Sequence, residues 1–194
     1  MVKRVCVFCG AFAGKDEKYK KAAQALGAEL VKNNLGLVYG GGNVGLMGTV
    51  ADAVLTAGGE VIGVIPKFLM DKELGHLGCT ELKVVETMHQ RKALMAESAD
   101  AFVALPGGFG TLEEIFEVTT WLLLGAHRKP CAILDVGGYY SHLMTFLDHI
   151  TGEGFITPED RQLLMFDNSP EKLVGRLLDY QPAPTTKWMA LDKT

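Results

Sequence analysis

The residues Leu105-Pro-Gly-Gly-Phe-Gly-Thr-Leu-Glu-Glu114 combine the types needed to hold an anion and to act on what it is attached to. Three glycines, Gly107, Gly108 and Gly110, lie between an apolar run at 101–105 and an apolar-periodic run at 112–124. The first run reads as a short buried strand and the second as a helix. A strand that turns through glycines into a helix start is an anion site. The first helical N–H groups have no internal partner and carry partial positive charge, and glycine lets a phosphate approach them. Thr111 fits as N-cap, with Glu114 three residues on. That spacing is also a capping box, in which Glu114 would merely fold back onto the Thr111 N–H. A cap alone requires neither Gly107 nor Gly108, so the glycines favour a carboxylate with chemistry to do. Arg91 and Lys92 are the second candidate group. They fall early in a helix expected over 88–98, where cations oppose the macrodipole. Either they serve a site or they form a solvated basic turn.

The elements that must position these groups alternate along the chain. Strands are expected at 5–8, 36–39, 60–65, 82–85, 101–105, 129–134 and 163–166. Helices are expected at 17–32, from the glycine loop after residue 39 through 57, and at 88–98, 112–124, 140–150 and 169–178, while 67–80 reads as irregular. This order predicts an α/β fold, with a mainly parallel sheet and helices on both faces. Ligands in such sheets bind beyond the C-terminal strand ends, so the loops after the first, second and fifth strands should share one edge. The loop Cys9-Gly-Ala-Phe-Ala-Gly-Lys-Asp16 lacks both the first glycine and the Ser/Thr of a Walker A. It reads instead as a small-residue loop at a pocket mouth, with Asp16 capping the next helix. Gly40, Gly42 and Gly45 match G-x-G-x-x-G in outline. They follow the second strand, however, and Glu60 begins the next strand where an acidic partner should end it. Gly41 and Gly42 therefore read as part of a second phosphate- or sugar-facing loop. Residues 112–124 carry apolar side chains around the helix, which predicts a partner subunit as cover.

Composition bounds the rest. The 194 residues are 48% hydrophobic and 22% charged, with a net charge of −4 and no run of Lys or Arg longer than a pair. A single domain over 1–180 with a tail at 181–194, pinned by Trp188, is expected, and nucleic acid is not an expected partner. No signal peptide or membrane span is read, which predicts a cytoplasmic protein. Cys6 and Cys9 form a C-x-x-C, but within a strand they would point to opposite faces, so both read as reduced core residues. The five histidines show no metal-ligand spacing.

The motif Pro106-Gly-Gly-Phe-Gly-Thr-Leu-Glu-Glu114 resembles the PGGxGTxxE signature of the LOG ("Lonely Guy") family, cytokinin riboside 5′-monophosphate phosphoribohydrolases. Arg91-Lys92 matches that family's upstream pair. Tyr39-Gly-Gly-Gly and Val7-Phe-Cys-Gly-Ala11 are similar to it as well. The resemblance covers about residues 4–178. It implies a Rossmann-like fold, a homodimer and no metal or redox cofactor. It also implies hydrolysis of the N-glycosidic bond of AMP and N6-prenyl adenosine monophosphates, a nucleoside monophosphate being the partner. Arg91 and Glu114 would be the catalytic pair, with Gly107, Gly108, Gly110 and Thr111 on phosphate. Lys92, Glu73 and Thr120 would be further substrate contacts. Such proteins are often labelled lysine decarboxylases, for which the sequence offers no Schiff-base lysine with a phosphate cup. The rival readings are a non-catalytic nucleotide or molybdenum-cofactor carrier and an NAD-dependent enzyme.

Overall fold

The computed structural model describes residues 2–72 and 74–182. In chain order the elements are β1 (Arg4–Phe8), α1 (Glu17–Lys32), β2 (Gly36–Tyr39), α2 (Gly45–Thr56), β3 (Val61–Pro66), α3 (Lys67–Met70), β4 (Glu81–Val85) and α4 (Met88–Ser98). They continue as β5 (Ala101–Ala104), α5 (Phe109–Leu123), β6 (Cys131–Leu134), α6 (Ser141–Gly152), α7 (Pro158–Arg161), β7 (Leu164–Asp167) and α8 (Pro170–Leu178). The seven strands form one sheet in the order β4-β3-β2-β1-β5-β6-β7, and every pairing is parallel. This is the expected Rossmann-like α/β architecture, with a sheet that is parallel throughout.

Period-two alternation assigns the strand residues to two cores. Val5, Val7, Leu37, Tyr39 and Val103 face α1, α2 and α8, whereas Cys6, Phe8, Val38, Phe102 and Ala104 face α4, α5 and α6. Both faces are therefore covered, as an all-parallel sheet requires. Cys6 and Cys9 belong to different cores and are free thiols, in line with their reading as core residues. Asp16 caps α1 through the Lys18 N–H at 2.9 Å.

The chain runs from β1 outward to β4, then crosses back to place β5 on the other side of β1. The loops leaving β1 and β5 diverge, which opens a crevice at their C-terminal ends, the usual ligand position in this architecture. The loop after β2 reaches the same edge. The short helices α3 and α7 lie in stretches too brief for a periodic signal. Residues 183–194, including Trp188 of the expected tail, lie outside the described residues. Among the described residues no helix is long and apolar enough to cross a membrane.

The helix α5 begins three residues before the expected start. Its N-cap is Gly108, which makes no side-chain cap hydrogen bond. The expectation that Thr111 caps the helix is thus corrected: Thr111 lies inside the first turn, and no Thr111–Glu114 capping box forms. Glycine serves as N-cap without a side chain, and the first N–H groups are left facing outward. The helix is also not apolar on every side. Glu113, Glu117 and Thr120 form a polar stripe, and the buried stripe is Thr111, Glu114, Ile115, Val118 and Leu122.

Ile115 is fully buried and anchors α5 to the sheet beside Glu114. Ile115→Ala is expected to lower stability by about 2–5 kcal/mol, since a cavity remains where the side chain was. Urea unfolding should show a lower midpoint at an unchanged m-value.

Candidate active site

A cavity of about 320 Å³ occupies the crevice. The loop after β1 contributes Cys9, Gly10, Ala11 and Phe12, and the loop after β2 contributes Gly40. The start of α5 contributes Gly108, Gly110, Thr111, Glu113 and Glu114. Met88, Arg91 and Met95 also line it. Their spacing of three and four residues puts them on one stripe of α4. Thr87 starts α4 with a full capping box to Gln90, which fixes the entry of that helix and the direction of its stripe.

Arg91 is buried and held from two sides. Its Nε donates to the Val64 carbonyl at 3.2 Å and its Nη2 to the Gly40 carbonyl at 3.1 Å. The ends of β2 and β3 thus fix the guanidinium. A β-carbon on residue 40 would overlap Nη2. This close approach explains the glycine at that position better than a dinucleotide does.

Glu114 is buried on the facing helix, its Oε1 3.9 Å from Arg91 Nη1. That is an ion-pair distance but too long for a hydrogen bond. Burial pushes the Glu114 carboxyl up to about 7; the Arg91 charge opposes this shift without cancelling it, and neighbouring Glu113 adds to it. The site therefore holds a carboxyl group able to take up or release a proton near neutral pH. Cys9 lies in the same wall, and burial raises its thiol pKa, so it is an inert lining residue rather than a nucleophile.

The glycine turn supplies the other half of the site. Gly107 packs so tightly on Thr111 that a β-carbon there would overlap the threonine side chain, while Gly108 and Gly110 face open space. Thr111 is buried beneath the turn.

Arg91, Glu114, Gly108, Gly110 and Thr111 are therefore brought together, with Gly107 directly behind. The other candidates lie elsewhere. Lys92 points along the next stripe of α4, where its Nζ binds Glu113 and meets Glu117 at 3.0 Å, tying α4 to α5. Thr120 is exposed, with its hydroxyl on the Phe116 carbonyl at 2.7 Å. Gly41 packs against Ile65 and Leu82, and Gly42 forms a bridge with Gly75. Glu73 lies outside the described residues. Sequence reasoning missed the three methionines Met47, Met88 and Met95 in the wall. The spacing of Met88 and Met95 about Arg91 was the available signal.

Known proteins resemble the chain at two levels. A family model described as possible lysine decarboxylase matches residues 47–177. The cytokinin riboside 5′-monophosphate phosphoribohydrolases LOG7 and LOG1 of Arabidopsis thaliana are each 53% identical over 180 residues, 93% of this chain and 83% and 84% of theirs. A probable enzyme of the same name, LOGL2 of Oryza sativa subsp. japonica, is 52% identical over 93% of this chain and 74% of its own. In fold, the chain matches a molybdenum cofactor binding protein from Rippkaea orientalis at a TM-score of 0.71 and 20% identity, covering 92% of this chain and 97% of that one. The molybdenum cofactor carrier protein of Chlamydomonas reinhardtii matches at 0.69 and 22%, covering 93% and 100%. At such identity these two likenesses concern the fold alone. No lysine lines the cavity among the described residues.

Two outcomes are expected of this geometry. Gly40→Ala should displace the guanidinium and lower activity while the sheet stays folded, checked by circular dichroism beside a turnover assay. Glu114 should also leave a pH signature. Its folded pKa is raised from the ordinary 4.5 to about 7, so its favourable contribution to stability is full below about 4.5 and is lost as pH rises through about 7. Glu114→Gln should accordingly match the wild type in stability near pH 4.5 and exceed it at pH 8, by up to the order of 3 kcal/mol. Melting temperatures of both proteins across this range provide the check.

Proposed function

The chain belongs to the LOG family of cytokinin riboside 5′-monophosphate phosphoribohydrolases, and we propose that its cavity hydrolyses the N-glycosidic bond of AMP-type nucleotides, N6-prenylated ones included. The products are the free base and ribose 5-phosphate. The observation that carries this reading is the buried Arg91–Glu114 pair opening into the same cavity as a glycine-rich helix start.

Breaking the bond between C1′ and the base nitrogen develops positive charge on the ribose and negative charge on the leaving base. Glu114 stabilises the first and orients water toward C1′, and its carboxylate accepts a proton from that water as the C–O bond forms. Arg91 stabilises the charge on the base; a guanidinium is too weak an acid to donate a proton itself. The departing base therefore takes its proton from solvent, and Glu114 releases the proton it took from water to solvent, which restores the carboxylate. The turn of Gly107, Gly108, Gly110 and Thr111 binds the 5′-phosphate through backbone N–H groups and so supplies orientation from a remote part of the substrate. Phe12, Met47, Met88 and Met95 give the base and an apolar N6 substituent a soft hydrophobic wall.

A homodimer is part of the same reading. Phe116, Trp121 and Leu123 on α5 are only part-buried, and Leu124 at its end is 54% exposed. A second copy would cover this apolar edge. Sedimentation should give an even multiple of the mass of one chain.

Free-base release from AMP and from adenosine by the purified chain tests the phosphate anchor. AMP should be turned over far faster, and equal rates would remove that argument. Glu114→Gln tests the chemistry. The amide keeps the size of the side chain, so the protein should fold and bind AMP, while kcat falls by about 10² or more, the scale of losing one electrostatic stabiliser. Near-normal base release by this variant would return Glu114 to a structural role.

A further inference from the structure

The three carbonyls leading into the glycine turn are each tied by a partner outside it. Tyr140 Oη donates to the Leu105 carbonyl at 2.7 Å, Gly10 N to the Pro106 carbonyl at 3.1 Å, and Tyr139 Oη to the Gly107 carbonyl at 2.6 Å. Both tyrosines stand between β6 and α6, a segment for which the reaction above has no use. Their rings meet edge to face with centroids 4.8 Å apart, and Tyr139 meets Tyr19 of α1 edge to face at 5.7 Å. Tyr140 is 2% exposed and Tyr139 43%.

A planar trans peptide carries its C=O and N–H in opposite directions. Fixing the Gly107 carbonyl on Tyr139 therefore aims the Gly108 N–H away from the tyrosine. Fixing the Pro106 carbonyl on Gly10 sets the Gly107 N–H in the same way. The Leu105 carbonyl precedes a proline, which has no N–H; here Tyr140 sets the strand end from which the turn departs. Without these ties a Gly-Gly peptide has little to prevent it from rotating.

We propose that Tyr139 and Tyr140 are positioning residues that hold the Gly107–Gly108 turn with its N–H groups toward the phosphate of the substrate. They act through the turn and do not touch the substrate. The inference rests on the phosphate reading given above, and it adds a second pair of residues to the site, from the connection between β6 and α6 rather than from α4 and α5. Preorganised donors bind an anion without first reorienting, so the hydroxyls should matter for phosphate and for nothing else in the reaction.

The test compares wild type, Tyr139→Phe and Tyr140→Phe in base release from AMP and from adenosine, with inorganic phosphate as competing inhibitor. Phenylalanine keeps each ring and removes only the hydroxyl. In both variants the KM for AMP and the inhibition constant for phosphate should rise about five- to tenfold, the scale of one hydrogen bond. The kcat on AMP and kcat/KM on adenosine should stay within about twofold of wild type, because the catalytic pair is untouched. The melting temperature should hold for Tyr139→Phe and fall for Tyr140→Phe, which leaves a buried carbonyl unpaired. A role in packing alone would move melting temperature and leave the AMP-to-adenosine ratio unchanged, and that result overturns the proposal. An equal loss on both substrates overturns it too. If Tyr140→Phe does not fold, Tyr139→Phe decides the matter, since its ring is partly exposed. A wild type that does not distinguish AMP from adenosine fails the phosphate reading, and this inference with it. A phosphate-selective wild type with unmoved variants sinks the tyrosines alone.

Discussion

A buried carboxyl group and a buried guanidinium that face each other at 3.9 Å without hydrogen-bonding are the constraint on which the site depends. Had they closed to a bidentate pair, each would neutralise the other and Glu114 would sit well below neutrality. The protein prevents this by occupying Arg91 elsewhere. Two main-chain carbonyls, from Gly40 and Val64, take its Nη2 and Nε donors. Desolvation then dominates at Glu114 and holds its pKa near 7. A buried pair of this kind is expensive for folding, and the surrounding sheet and helices hold it in place.

That holding is distributed over several elements. The carbonyls come from the ends of β2 and β3, the guanidinium from α4 and the carboxyl from α5. The two helices are linked by Lys92, which joins Glu113 and Glu117. Part of this network is exposed, and exposed ion pairs add little to stability. Its value is geometric: it ties α4 to α5 beside the stripe of Met88, Arg91 and Met95 that lines the cavity.

The architecture alone does not choose the chemistry. Proteins that bind or carry molybdenum cofactor share the same fold at TM-scores of 0.69–0.71 with only 20–22% identity, and such a fold hosts many functions. The family-model description names a decarboxylase, yet the side chains that line the cavity among the described residues include three methionines, two phenylalanines, an arginine and two glutamates, and no lysine. These suit an apolar base and a charge-separated transition state. A reaction at a lysine Schiff base would need an amine in the wall.

The sequence by itself determined the alternation of strand and helix, the glycine turn after residue 105, the shared edge of the three loops and the candidacy of Arg91 and Glu114. These follow from local signals: period two in the strands, period 3.6 in the helices, and glycines where backbone must approach something closely. It misjudged the start of α5, because Thr-x-x-Glu satisfies the capping rule wherever it occurs, and only the turn geometry reveals that Gly108 is the cap. It could not reveal why Gly40 is a glycine, since the guanidinium that fills the space belongs to a residue 51 positions away. Nor could it connect Tyr139 and Tyr140 to carbonyls 32 and 35 residues earlier. Those contacts arise when parallel strands bring distant loops to one edge, so tertiary structure alone decided them.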